Sequence, residues 1–346
     1  MNTNMNMKKL IYLSALSILF SCNKEEVVVN TPQQPESPKN IFAVGEELNG
    51  QISVAKLWKN GVPTSLTDGT KKADATSIYV AGSDVYVAGN ESNGNVYIPK
   101  VWKNGKSTSL TDGTKPAYAS SIYVAGSNVY VAGYEFNDND IRVAKIWKNG
   151  VPTSLTDGTE NSSASSVCVV QSNVYVAGYE RNDKNMGIAK IWKNGIATSL
   201  TDGTKDAYAN SVYVVGSDVY VAGIESNVAK IWKNGIATSL TGETKNTYIK
   251  SIYVAGSDVY ASGYERVNGL ATIAKVWKNG IPTSLTDGTK EAYTNSIYVV
   301  GSDVYVAGEE INDARVRIPK IWKNGVPTSL TDGTKNATIM SIFVGN

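Results

Sequence analysis

Three observations predict an all-β ring of seven four-stranded antiparallel units. A tryptophan returns at a near-constant interval, each interval holds the same run of strand and turn signals, and the two ends of the repeated region complement one another. The tryptophans are Trp58, Trp102, Trp147, Trp192, Trp232, Trp277 and Trp322, spaced 44, 45, 45, 40, 45 and 45 residues apart. A period near 45 residues filled with short strands is the mark of radially repeated sheets.

The unit from Ser121 to Gly158 justifies each element in order. Residues 121–125, Ser-Ile-Tyr-Val-Ala, and 129–133, Val-Tyr-Val-Ala-Gly, are rich in β-branched and aromatic residues and read as strands A and B. Gly126-Ser127 between them is a two-residue hairpin signal. Residues 143–148, Val-Ala-Lys-Ile-Trp-Lys, read as strand C, and Asn149-Gly150 supplies a turn in which both central residues need φ > 0. Strand D follows, and its second residue is proline at Pro63, Pro152, Pro282 and Pro327. Proline cannot donate to a ladder, so D belongs at an outer edge.

The ends predict closure. Residues 41–47, Ile-Phe-Ala-Val-Gly-Glu-Glu, align with strand B and have no strand A before them; residues 341–346 align with strand A and have no strand B after them. The C-terminal strand therefore completes the first unit. An open array would expose two apolar faces and call for polar capping repeats, which the sequence lacks.

On these residues the chain resembles a seven-bladed β-propeller over residues 41–346. It matches no named propeller family: the tryptophan is followed by Lys-Asn-Gly, where WD40 blades have Asp, and there is no histidine; Kelch Gly-Gly pairs and Asp-box motifs are missing too. The resemblance implies binding on one face or in a central channel.

The 346 residues are 42% hydrophobic, enough for a sizeable core, and carry 33 Lys+Arg against 31 Asp+Glu. Without Lys8 and Lys9, which precede a cleavage signal, the balance is 31 of each sign. Such neutrality gives no support to nucleic acid as a partner. The absence of histidine excludes His–metal sites, Ser-His-Asp and Cys-His nucleophile systems and His general bases. No cofactor is called for.

Residues 1–21 read as a signal peptide: Lys8-Lys9, an apolar stretch of 11 residues from Leu10 to Phe20, then Ser21 before Cys22. Leu19-Phe20-Ser21-Cys22 resembles a bacterial lipoprotein lipobox, which implies that Cys22 takes the acyl chains (palmitate among them) that partner the membrane. The alternative is an ordinary signal with an incidental cysteine. Asn23-Lys24-Glu25-Glu26 resembles the tetrad that sends some lipoproteins to the outer face of the outer membrane, so the expectation is an outer-membrane lipoprotein of a diderm bacterium, facing either the cell surface or the periplasm. Residues 22–40, with Pro32, Pro35 and Pro38, read as a flexible tether reaching up to roughly 60 Å. Lipid on Cys22 would leave Cys168 without a disulfide partner.

Sevenfold repetition turns every repeated residue into a ring. One ring is acidic (Glu47, Glu91, Glu135, Glu180, Glu225, Glu265, Glu310) and one basic (Lys56, Lys100, Lys145, Lys190, Lys230, Lys275, Lys320). Blade five has the shortest B–C link, and a two-residue turn at Ser226-Asn227 puts Lys230 opposite Gly223 and diagonal to Glu225. A repeated structural ion pair is the favoured reading; paired carboxylates for glycoside chemistry are the alternative, weakened because every blade supplies the same pair. The tryptophans read as core in preference to a sugar platform. The Thr-Asp-Gly-Thr turns, from Asp68 to Asp332, read as turn chemistry in preference to a calcium site, and no metal site is assigned. Cys168, standing where Tyr79, Tyr123, Tyr213, Tyr253 and Tyr298 stand in other blades, reads as an apolar filler.

The blades differ in the B–C loops (48–53, 92–97, 136–143, 181–188, 226–227, 266–273 and 311–318) and at one position of the D–A connections (Asp74, Tyr118, Ser163, Tyr208, Tyr248, Tyr293 and Thr338). Both lie on one face. Tyr118, Tyr208, Tyr248 and Tyr293, with Arg142, Arg181, Arg266, Arg315, Asn137 and Asp138, are the candidate ligand-binding residues, because recognition surfaces favour tyrosine, arginine and asparagine on rigid scaffolds. The expected function is a non-catalytic binding module for a glycan, peptide or protein. A carbohydrate-active hydrolase or lyase would instead need an unrepeated acid near the axis, with Asp74, Asp206 and Glu291 as candidates. An envelope assembly scaffold would use the turn lysines Lys59, Lys103, Lys148, Lys193, Lys233, Lys278 and Lys323.

Overall fold

The computed structural model describes residues 39–242, 246–267 and 271–345. The signal peptide, Cys22 and the tether to residue 38 lie outside the described residues. Twenty-eight strands form seven four-stranded antiparallel sheets, making a seven-bladed β-propeller. In blade three, strand A is Ala117–Ala125, B is Asn128–Phe136, C is Arg142–Lys148 and D is Val151–Ser154. Strand A lies innermost, where its ring side chains meet those of the next blade; every residue of strand D is exposed in each blade.

The first blade is completed by the last strand of the chain. Ala337–Gly345 pairs with Asn40–Asn49, from Asn40 opposite Gly345 to Glu47 opposite Ala337. Strand B of that blade then pairs outward with Ile52–Lys59, and that strand with Val62–Ser65.

The hairpins form as their turn residues dictate. Asn149 and Gly150 both have positive φ, 51° and 82°, and the same pair recurs at Asn60-Gly61 and Asn324-Gly325. The B–C links are shorter than the sequence suggested, because both strands stay paired further out. In blade one Asn49 still pairs with Ile52, and in blade three Phe136 pairs with Arg142. Arg142, Arg181 and Arg266 therefore sit on strand ends.

Strand A carries a bulge in all seven blades. In blade three Ala119 pairs with Gly133 and Ser121 with Ala132, leaving Ser120 unpaired. The repeated glycine of strand B permits this: a Cβ on Gly133 would lie 1.9 Å from the Tyr118 carbonyl oxygen. The serine after each bulge reaches the neighbouring blade. Ser121 Oγ accepts from the Val167 N–H at 3.2 Å, and Ser341 Oγ from the Ile78 N–H at 3.3 Å, which joins the ends of the ring. The inner edge strands thus find partners for N–H groups that an edge would otherwise leave bare.

The core lies between blades. Trp102 of blade two packs with Phe42, Val44 and Ala55 of blade one, and Trp58 of blade one with Tyr305 and Ala307 of blade seven. All seven tryptophans are at most 1% exposed. Each contributes roughly 3–5 kcal/mol on the scale of Trp→Ala truncations.

Candidate functional site

The variable residues converge around one mouth of the axial channel. The position expected on the D–A connections is the second residue of strand A, paired across to an equally variable position on strand B. The pairs are Asp74–Asn90, Tyr118–Tyr134, Ser163–Tyr179, Tyr208–Ile224, Tyr248–Tyr264, Tyr293–Glu309 and Thr338–Glu46. The strand B residue follows the repeated glycine. The sequence shows its variation, but its partner across the ladder becomes visible only with the bulge.

Aromatic and basic groups fill most of the rim. Tyr118 stacks on Tyr134 with centroids 5.1 Å apart, and Tyr97 lies 5.3 Å away. Tyr208 meets Tyr179 edge-on at 4.8 Å, donates to Asp206 at 2.9 Å and accepts from Arg181 at 3.2 Å. Tyr248 stacks on Tyr264 at 5.0 Å, and Tyr264 meets Tyr293 at 4.9 Å. Arg142 lies over Tyr134 and Arg266 over Tyr248, at 5.7 and 5.4 Å, as cation–π partners. Tyr293 donates to Glu291 at 2.9 Å.

The other candidates are placed differently. Asn137 is committed to the fold: its Nδ2 donates to the Gly158 carbonyl at 2.9 Å while its Oδ1 accepts from Asn139 and Ile141 N–H. Asp138 is exposed and pairs with Lys115 at 2.7 Å. Arg315 lies at a loop tip with φ 61°, its side chain exposed.

Acids occupy the remaining sector, across blades seven, one and two. Asp74 accepts from Asn90 Nδ2 at 2.8 Å. Burial pushes its pKa up to about 6, against the pull of the Asn90 hydrogen bond, with repulsion from Glu46 adding to the rise. Glu309, 4% exposed, is also raised by burial, opposed by Arg317 at 2.6 Å. Glu46 and Glu309 were not singled out from sequence. Asp206 accepts from the Gly187 N–H at 2.7 Å.

The repeated charges form a separate belt. Lys230 pairs with Gly223, and its ammonium lies 3.5 Å from Glu225. The other blades repeat the contact at 2.5 to 3.4 Å, with Lys190 and Glu180 likewise in contact. These groups are partly buried and mutually neutralised. The Thr-Asp-Gly-Thr carboxylates face their own turns: Asp157 Oδ1 accepts from the Thr159 N–H and hydroxyl at 2.9 and 2.7 Å, which lowers its pKa. Among the described residues no three His, Cys, Asp or Glu side chains gather in a metal-binding arrangement.

No protein-family model matches the chain, and no curated protein matches it in sequence. Solved structures do match in shape. A puromycin-hydrolysing peptidase of Mycobacterium tuberculosis superposes with a TM-score of 0.57 at 10% identity, over 84% of this chain and 53% of that one. The chain thus spans about half the length of that enzyme. The β-propeller domain of the Trilobed protease from Pyrococcus furiosus, described as having an open velcro topology, superposes with a TM-score of 0.54 at 11% identity, over 85% of this chain and 95% of that one. At such identities the likeness is one of fold. It agrees with the sheet order in making this chain a seven-bladed β-propeller, here with blade one closed by the C-terminal strand.

Proposed function

We propose that the propeller is a binding module, held on the outer membrane by lipid at Cys22 and displayed at the cell surface, that takes a glycan, peptide or protein at the mouth of its channel. The observation that carries this reading is the contrast within single strands. The glycine, the serine and the tryptophan repeat in every blade, whereas the paired positions around the mouth differ from blade to blade. Stacked tyrosines on rigid strands offer planar contact area at little entropic cost, and the arginines and acids beside them offer oriented polar contacts. A glycan array and a pull-down with the full-length protein test it. Ligands should be retained, and Tyr248→Ala or Tyr118→Ala should weaken them at least tenfold, while Lys148→Ala on the opposite face should not. Silence in both assays at millimolar ligand, or loss only with the turn lysine, would reject the mouth.

Asp74 favours a second reading. An unrepeated carboxyl that titrates near pH 6 beside Glu46 is suited to general acid or base work in a carbohydrate-active hydrolase or lyase. The structural neighbours are peptidases, so hydrolysis belongs in the test. Turnover of a glycan or peptide found by the array, abolished by Asp74→Asn, would favour the enzyme; binding without turnover would favour the module.

A further inference from the structure

The channel itself holds a second candidate site, below the mouth. Three residues after the bulge, strand A carries a ring side chain in six blades: Tyr79, Tyr123, Tyr213, Tyr253, Tyr298 and Phe343. Successive ring centroids lie 4.7 to 5.8 Å apart, except where blade four substitutes Cys168. The aromatic run stops at Tyr123 and resumes at Tyr213. The channel at this level is a cavity of about 330 Å³ walled by residues of all seven blades, and Val167, Cys168, Val212 and Val214 line it where the ring is missing.

One level nearer the mouth are the bulge residues. Thr76, Asn210 and Asn295 each donate to a carbonyl of the next blade, at 3.0, 2.7 and 2.7 Å. Lys250 holds this position in blade six. It is the only charged residue among the seven bulge positions, and it has neither a carboxylate nor a hydrogen-bond partner among the described residues. Its side chain is exposed, yet desolvation by the surrounding strands lowers its pKa, with no neighbouring acid to offset the effect. The seven lysines of the repeated belt, Lys56 to Lys320, each meet a glutamate; Lys250 meets no acid among the described residues.

We propose that the channel binds a small aryl carboxylate, its ring in the place that Cys168 leaves between Tyr123 and Tyr213 and its carboxylate on the Lys250 ammonium. The missing ring sets the planar body, since a seventh aromatic completes the tilted contacts of the other six. The single cation sets the charge: a monoanion is neutralised, whereas a dianion would carry an uncompensated charge into a partly desolvated channel. The cavity is within the range of small-molecule sites. This inference does not rest on the mouth.

Calorimetric titration of the full-length protein with benzoate tests it, with benzyl alcohol and acetate as partial probes. Benzoate should bind at least tenfold more tightly than either. Lys250→Met and Cys168→Tyr should each weaken it at least tenfold with an unchanged melting temperature, because sister blades already carry Met340 and tyrosine at those positions. If Lys250→Met fails to fold, Lys250→Asn, matching Asn210 and Asn295, should give the same loss. No benzoate binding at millimolar concentration, acetate binding as tight as benzoate, or unaltered affinity in the folded variants would overturn the proposal.

Discussion

The hairpin face and the mouth are built from the same strands, yet they have opposite characters. On the hairpin face Asn-Gly turns repeat around the ring, and in four blades the turn lysine meets a strand B aspartate in one geometry, such as Lys103 on Asp84 and Lys278 on Asp258 at 2.7 and 2.8 Å. At the mouth, seven cross-strand pairs carry different chemistry. The difference teaches where constraint lies. A turn needing positive φ and a glycine facing a carbonyl admit few residues, whereas a strand end facing the channel mouth admits many. Scaffold and recognition are thus separated along each strand by only a few residues.

The sharpest way to break that contrast is to remove the closing strand. Deleting residues 341–346 unpairs Asn40–Val44 on one side and removes the Ser341 contact to blade two. The melting temperature should fall by more than about 10 °C, or the chain should aggregate through its exposed edge. An unchanged melting curve would show that the ring does not depend on this seam.

Gly133→Ala comes next. Its methyl would collide with the Tyr118 carbonyl, so the loss should be on the order of 3 kcal/mol in denaturant unfolding. Tyr118→Ala, a neighbour at the mouth, should cost less stability while affecting binding.

Asp74→Asn should act in the opposite sense. Asp74 binds its proton more tightly folded than unfolded, so its contribution is favourable below about pH 4 and is lost as pH rises through about 6. The variant should flatten that fall and gain on the order of 2 kcal/mol at pH 8, read from unfolding at several pH values. A parallel pH profile in both proteins would remove burial as the cause. The smallest effect is expected from Lys145→Met, where a partly exposed pair is lost: within about 1 kcal/mol, by the same unfolding measurement.

The architecture was legible in the sequence because its signals are local. Asn149-Gly150 dictates its own turn, Pro152 its own edge, and the two-residue link at Ser226-Asn227 fixes the register that brings Lys230 to Glu225. The channel was not legible, because the bulge breaks simple alternation. Asp74 and Tyr79 are five residues apart and would face opposite sides of a regular strand, but the unpaired Thr76 returns them to one side, opposite Asn90 and Tyr86. The same extra residue concealed Lys250, and the serine contacts join residues some 45 positions apart. Glu46 and Glu309 were overlooked because each adjoins a repeated glutamate and reads as part of that ring.

The chain joins the propeller at Asn40, beside the Asn60 turn and across from Gly345. Strand B of blade one is flanked by hydrogen-bonded neighbours on both sides, so a pull from the N-terminal side would shear two ladders together instead of peeling an edge. With the anchor proposed at Cys22, drag on the propeller would be borne by this doubly held strand.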